Sequence, residues 1–239
     1  MTATPDTTIR EIVASDYRTA AVFQRHGLDF CCKGSKTIAQ GCRDSGTDEM
    51  ALIRDLDAVL DTPAAGLPRF AAWDARTLIA YIVGNHHAYV REAMPTVLRH
   101  TAKIASVHGE RHPELSHIAK LFARVAAEMT EHMIKEERVL FPFIAALEES
   151  ATRRAPRPPA PFGTVANPIH AMEAEHEFVG DAMAEIRHLT GGYTPPADAC
   201  APYLVCFQEL EAFERDLHDH VHLENNLLFP KAAALEAGA

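Results

Sequence analysis

Long basic runs are missing from this chain. Its 23 Lys and Arg residues face 33 Asp and Glu, for a formal net charge of −10, and no basic run exceeds the pair Arg153-Arg154. With no basic field to hold a phosphate backbone, nucleic acid is not an expected partner. Long apolar runs are missing as well: nothing approaches the roughly 20 residues that span a bilayer. Met1 to Arg10 lacks the basic and then apolar pattern of a secretory leader. The expectation is a soluble cytoplasmic protein with no membrane partner. Nor do the cysteines make a scaffold. Five of them at irregular spacing do not suit a secreted disulfide framework, and reduced thiols are expected.

Apolar material is ample, with 47% hydrophobic residues against 23% charged, a balance that packs a core. The chain reads as all-α. Short helices are expected over Ile9–His26, capped by Thr8, and over Met50–Leu60, capped by Asp48, with the polar stretch Gly27–Asp48 between them. The run TPAAGLP breaks helix and sets a linker at 62–72 between a small helical unit, 1–61, and a larger one, 73–239. Four long helical stretches follow, joined into an antiparallel four-helix bundle. In the second, Ile118, Leu121, Phe122, Val125, Met129, Met133, Leu140, Phe143, Ile144 and Leu147 recur at steps that trace one face. Polar His132 and Glu136 fall on that same face. The fourth repeats the arrangement, with Cys206, Leu210, Phe213, Leu217, Val221 and Leu228 around His220 and Glu224. The first covers about Asp74–Val107 and the third about Asn167–Leu189, and Ser150–Pro168 joins the two halves.

An internal repeat connects these stretches. EHMIKEERVLFPFIAALE from Glu131 aligns with DHVHLENNLLFPKAAALE from Asp219 at an offset of 88 residues, pairing His132 with His220 and Glu136 with Glu224. A His and a Glu four residues apart on a helix project to one site, about 6 Å apart along the axis. A carboxylate buried there costs several kcal/mol unless a cation compensates it. The repeat asks for two further histidines. His176 has apolar Met172, Val179, Met183 and Ile186 at helical offsets, and His87 has Val83, Val90, Met94 and Val97, a better set than the neighbours of His86. Four imidazoles and two carboxylates exceed one tetrahedral zinc ion. They suit two six-coordinate ions that share the carboxylates, with iron favoured over manganese. Two non-haem irons with a bridging oxo or hydroxo group would leave room for a small ligand such as nitric oxide or oxygen. His86 is a candidate for supporting a ligand, and Glu128 and Glu175, beside His132 and His176, for relaying protons or fixing a ring. His100, His108, His112, His117 and His188 fall outside the pattern and are expected to be solvated or structural. His218 and His222 flank a ligand but point off the stripe.

Adjacent Cys31 and Cys32 lie in GLDFCCKG. Their Cα atoms, about 3.8 Å apart across one peptide, are too close for an unstrained disulfide. They read as thiols with chemistry: redox exchange, transient binding of iron or a cluster, or a link to a second chain in a homodimer. Cys206 belongs to an apolar stripe, and Cys42 and Cys200 carry no pattern.

With DFCCKG, EHMIKEE, MEAEH and DHVHLENNLLFP in hand, the chain resembles the iron–sulfur cluster repair di-iron proteins, the repair of iron centres family, over essentially its whole length. The resemblance implies a small cysteine-pair domain followed by a hemerythrin-like domain. It implies ligation of two irons by His87, His132, Glu136, His176, His220 and Glu224, the same six. Glu128 and Glu175 match the family's acidic positions near the metals, and Cys31 and Cys32 its vicinal cysteines. The implied function is restoration of iron–sulfur proteins damaged by nitric oxide or peroxide, by donating iron; the competing expectations are reduction of nitric oxide or peroxide at the di-iron site and an oxygen- or nitric oxide-binding sensor. This sequence departs from the family pattern in the double His86-His87, in His222 and in Cys42.

Overall fold

The computed structural model describes residues 2–62 and 68–238, so part of the expected linker, 63–67, lies outside the described residues. Every named element is helical, and the one extended pairing among the described residues is an isolated bridge between Thr8 and Thr37.

The N-terminal segment holds four short helices, α1 (Ile9–Ser15), α2 (Ala20–Arg25), α3 (Ile38–Ser45) and α4 (Glu49–Leu60). Thr8 and Asp48 cap α1 and α4 as the sequence predicts; Thr8 forms a reciprocal box with Glu11. Two expectations fail here. The helix expected over Ile9–His26 breaks at Asp16, whose extended backbone lets its carboxylate accept from the Arg18 amide and start a new 3-10 turn. That local bond competes with helix continuation. The polar stretch Gly27–Asp48 also hides α3, begun by a capping box of Thr37 with Gln40 and ended by Gly46 at φ 69°. Its apolar face is short, and Gly41 lets it approach Leu28 closely: a Cβ there would sit 2.9 Å from the Leu28 side chain.

Four rods form the bundle. The first is α5 (Ala75–Tyr81) and α6 (Ala88–His108), the second α7 (Glu114–Lys135) and α8 (Phe141–Arg153), the third α9 (Ala166–Leu189), and the fourth α10 (Ala201–His222) and α11 (Phe229–Gly238). α6 packs on α7, α7 on α9, α9 on α10 and α10 on α6, which closes the ring. The first, second and fourth rods are each interrupted by a π-helical turn: Ile82–His87, Glu136–Leu140 and Leu223–Leu228. The second and third of these turns are related by the 88-residue repeat, since Glu136 and Leu140 correspond to Glu224 and Leu228. A π turn admits one extra residue and shifts the register of the buried face. Thus Ile82 is fully buried while Val83, expected inside, is only half-buried.

Two apolar clusters fill the molecule. One runs through the N-terminal segment and the distal bundle, from Ile12, Phe23 and Phe30 to Phe122 and Phe213. The other, with Leu78, Ile144, Met172 and Phe229, fills the opposite end. Buried His87, His132, Glu136, His176, His220 and Glu224 lie between the helical segments that carry the two clusters. The N-terminal segment is docked on the π turn of the fourth rod, where the Asn226 amide donates to the Phe30 carbonyl at 2.9 Å and its oxygen accepts from Arg10 Nε at 3.2 Å. Tyr17 donates to Asp219 on the same rod. No described helix is long and apolar enough to cross a membrane.

Candidate metal centre

Each rod contributes at its middle. His87 ends the first π turn, Glu136 and Glu224 lie in the other two, and His132, His176 and His220 stand on α7, α9 and α10. All six are buried, none exposed by more than 1%. The structure gathers them into two quartets, His87, Glu136, His220 and Glu224, and His132, Glu136, His176 and Glu224, whose donor atoms lie within 4.8 Å of one another. Both carboxylates belong to both quartets. Glu136 presents one oxygen, Oε2, to His87 Nε2 at 3.3 Å and to His132 Nε2 at 3.2 Å. Glu224 divides its two, Oε1 to His220 at 2.9 Å and Oε2 to His176 at 3.1 Å.

These contacts do not satisfy the site. Both oxygens of Glu136 and Oε2 of Glu224 are buried without a properly directed hydrogen bond, although ring nitrogens stand close by. The atoms point at shared positions rather than at each other. His87 Nε2 faces His220 Nε2 at 3.2 Å, and His132 Nε2 faces His176 Nε2 at 3.0 Å. At these separations each pair can share a proton or a cation. Bound side by side on one octahedral ion at about 2.1 Å, two nitrogens stand about 3.0 Å apart. The donor set therefore fits two metal ions that share two carboxylates.

Protons show the same demand. Burial opposes charge on His87, yet hydrogen bonds to Glu136 and Glu224 push it up to about 10. His132 also rises to about 10 against its burial, chiefly through the charge of Glu136. Burial and the charge of Glu224 would raise Glu136, but His132 and His87 bring it below the usual carboxylate range. Without metal the cluster thus recruits positive charge as protons. A divalent ion has to displace them.

The outward nitrogens are held unequally. His87 Nδ1 meets Glu137 at 2.6 Å, His132 Nδ1 meets Glu175 at 2.9 Å and His176 Nδ1 meets the Asn225 side-chain oxygen at 2.9 Å. His220 Nδ1 has no partner among the described residues. Such bonds choose the tautomer and aim the ring. His86 is outside both quartets: its Nδ1 pairs with Asp216 at 2.9 Å, and its ring stacks on His220 with centroids 5.7 Å apart. Glu128 is half-buried one turn before His132 on α7 and is not brought into either quartet.

The profile of the hemerythrin HHE cation binding domain matches residues 78–232, and that of a domain of unknown function (DUF542) matches residues 5–60. The iron-sulfur cluster repair protein YtfE of Yersinia pestis (strain Pestoides F) is 34% identical over 218 residues, covering 90% of this chain and 91% of that protein. Its counterpart in Cronobacter sakazakii (strain ATCC BAA-894) is 31% identical over 234 residues, 97% of this chain and 98% of that protein. This chain belongs to the YtfE family.

Cys31 and Cys32 lie one side chain away from the buried cluster, through Asn225. Both backbone amides of Cys31 and Cys32 donate to Asp29 Oδ1, at 3.1 and 2.9 Å, and the two sulfurs are 3.8 Å apart as free thiols. Cys31 is buried, and its hydrogen bond to Cys32, its burial and the Asp29 charge push its thiol well above the ordinary range. Cys32 is partly exposed and, with Lys33, Arg187 and His218, lines a cavity of about 400 Å³ between the N-terminal segment and α9. The Asn225 amide donates to the Cys31 carbonyl at 3.3 Å while its oxygen accepts from His176. One side chain therefore joins the cysteine loop to a residue of the cluster.

Glu137, Asn225 and Asp216 escape a reading of the sequence. Each lies beside or between stripe positions on its own helix, and only packing against another rod gives it a partner. His222 points off the stripe as expected and stays outside both quartets, packed against Tyr17 and Phe30. It is 1% exposed, held neutral by burial, which drives it down to about 3, and its Nδ1 accepts from the Asn226 amide.

Proposed function

We propose that this protein binds two non-haem iron ions through His87, His132, Glu136, His176, His220 and Glu224, and that it repairs damaged iron–sulfur proteins by supplying iron. Units at 1–61 and 73–239, with a linker over 62–72, are part of that reading: the first carries the cysteines, the second the metals. The observation that carries it is the pair of quartets sharing both carboxylates, one hydrogen-bonded side chain from the cysteine loop, in a chain similar to proteins named for cluster repair. Iron bound there would supply both the cargo and a place for a small ligand such as nitric oxide or oxygen. The chain's own residues bind and orient: Glu137, Glu175 and Asn225 aim the rings, and the two apolar clusters keep bulk water from the carboxylates. Cys31 and Cys32 assist transfer or docking from the adjoining cavity.

Metal analysis with Mössbauer spectroscopy of the purified protein is expected to give two irons per chain. The loaded protein should reactivate a cluster-dependent dehydratase that nitric oxide has damaged, beyond an equal dose of free iron. One metal per chain, or no advantage over free iron, would sink the proposal.

One observation favours a second, enzymatic reading in which the site reduces nitric oxide. Glu175 meets His132 with one oxygen and Lys135 with the other, linking a buried ring to the partly exposed surface as a proton path requires. Loss of nitric oxide over many turnovers with an electron donor, slowed in Glu175→Gln, supports this reading. Stoichiometric nitrosylation that stops after one equivalent counts against it.

A further inference from the structure

Cys200 and His108 meet at the end of the bundle away from the metal cluster. Cys200 caps α10, whose other end carries His220, so the two sites are about 30 Å apart along that helix. Its sulfur lies 3.1 Å from His108 Nε2. The chain positions this ring firmly: His108 is the last residue of α6, 6% exposed, with its ring 5.4 Å from that of Tyr203 on the first turn of α10. The other ring nitrogen, Nδ1, is buried and has no partner among the described residues. A buried N–H without an acceptor is costly, so the single ring proton belongs on Nε2, where it donates to the sulfur. The other charged groups nearby are engaged elsewhere, Asp198 with Arg111 and His112, and Glu114 with His112. The free thiol of Cys200 is partly exposed, unlike the buried Cys42 and Cys206.

We propose that Cys200 is a second reactive site of this protein, a thiol modified by small electrophilic oxidants such as hydrogen peroxide, with His108 as its positioning residue. The nucleophile is the thiolate. The His108 N–H donates to the sulfur as negative charge resides there, and the α10 N-terminus favours the same charge. The thiolate attacks one peroxide oxygen, a sulfur–oxygen bond forms as the oxygen–oxygen bond breaks, and hydroxide leaves. Sulfur is oxidised by two electrons to sulfenic acid, and the peroxide is reduced. Cys206 is fully buried further along α10, so the product persists for an external thiol instead of closing a disulfide within the chain. This inference does not depend on what the metal cluster binds.

The test is the rate of iodoacetamide labelling of each cysteine at neutral pH in the full-length reduced protein with chelator present, read by peptide mass spectrometry. Cys200 is expected to label at least ten-fold faster than in His108→Phe, which keeps a ring against Tyr203 but offers no N–H. His108→Gln, which restores a donor, should recover part of the rate, and the Cys32 rate should stay within two-fold in both variants. Equal Cys200 rates in the wild type and His108→Phe would overturn the proposal. Should His108→Phe lose its helical circular dichroism, the comparison becomes the native chain against the same chain in urea: faster Cys200 labelling in the native protein supports the inference and slower labelling overturns it. With peroxide and dimedone, an adduct is expected at Cys200, and a chain modified only at other cysteines would also refute it.

Discussion

The two quartets of the buried cluster share both carboxylates, yet they are gripped differently. In the quartet of His132 and His176, both rings have an outward partner, Glu175 and Asn225, and each partner reaches further, to Lys135 and to the Cys31 carbonyl. In the quartet of His87 and His220, Glu137 holds one ring, and no described residue holds the outward nitrogen of the other. The repeat carries the supports only in part: Glu137 and Asn225, 88 residues apart, hold His87 and His176, whereas the Glu175 that holds His132 has no counterpart on His220 among the described residues. Since support governs how rigidly a ring faces its ion, the half built on His87 and His220 should release metal first, and the half built on His132 and His176 should keep it.

The largest expected effect erases the comparison altogether. Glu224→Ala removes the carboxylate that gives one oxygen to each half, so iron content should fall from two per chain to near zero by plasma emission analysis; retention of one full equivalent would show that the halves do not depend on each other. Next come the single-ring variants. Loss of iron to a chelator should be biphasic in the wild-type protein, and His220→Ala should abolish the fast phase while His176→Ala abolishes the slow one. The reverse assignment would break the proposed ranking. Replacing supports should act more gently: Glu137→Gln and Glu175→Gln are each expected to weaken iron binding by about 10- to 100-fold in a competition titration. Asn225→Ala should do the same and, unlike those two, should also change the labelling rate of Cys32.

Acid and alkali sharpen the contrast between empty and loaded protein. His87 and His132 are raised from 6.5 to about 10 in the metal-free cluster. Their contribution to stability is therefore complete below about pH 6.5 and lost as pH rises towards 10. Metal-free protein should lose urea resistance over that window, whereas the loaded protein, whose rings carry metal instead of protons, should not. Iron affinity should climb over the same range as fewer protons compete. The smallest effect is expected for Glu128→Gln, less than two-fold in iron affinity, because Glu128 reaches neither quartet.

Much of this could be read in advance because periodicity and duplication report on buried faces. His132, Glu136, His220 and Glu224 repeat within apolar stripes, and His176 has an apolar set of its own. His87 was preferred to His86 by its neighbours, and the structure separates the two: His87 enters a quartet, whereas His86 faces Asp216. The π turn at Ile82–His87 departs from the helical offset of that pattern and puts Ile82 inside in place of Val83. A π insertion leaves no mark on a 3.6-residue pattern until the register is seen to slip. Asn225, Glu137 and His108 were illegible for another reason. Their partners come from distant positions on other rods, and although the repeat aligns Glu137 with Asn225 just after the two shared carboxylates, the two residue types differ and give no pattern. The helix α3 was missed although Thr37 and Gln40 form a capping box, because a polar, glycine-bearing stretch outweighed that short signal.

The Asn225 side chain couples two events that would otherwise be independent. Its oxygen orients His176 and its amide holds the Cys31 carbonyl, so the geometry that suits the metal is the geometry that suits the docked loop. Linkage makes such a dependence reciprocal. If bound iron tightens the seating of the cysteine loop by some factor, drawing the loop away loosens the iron by that same factor.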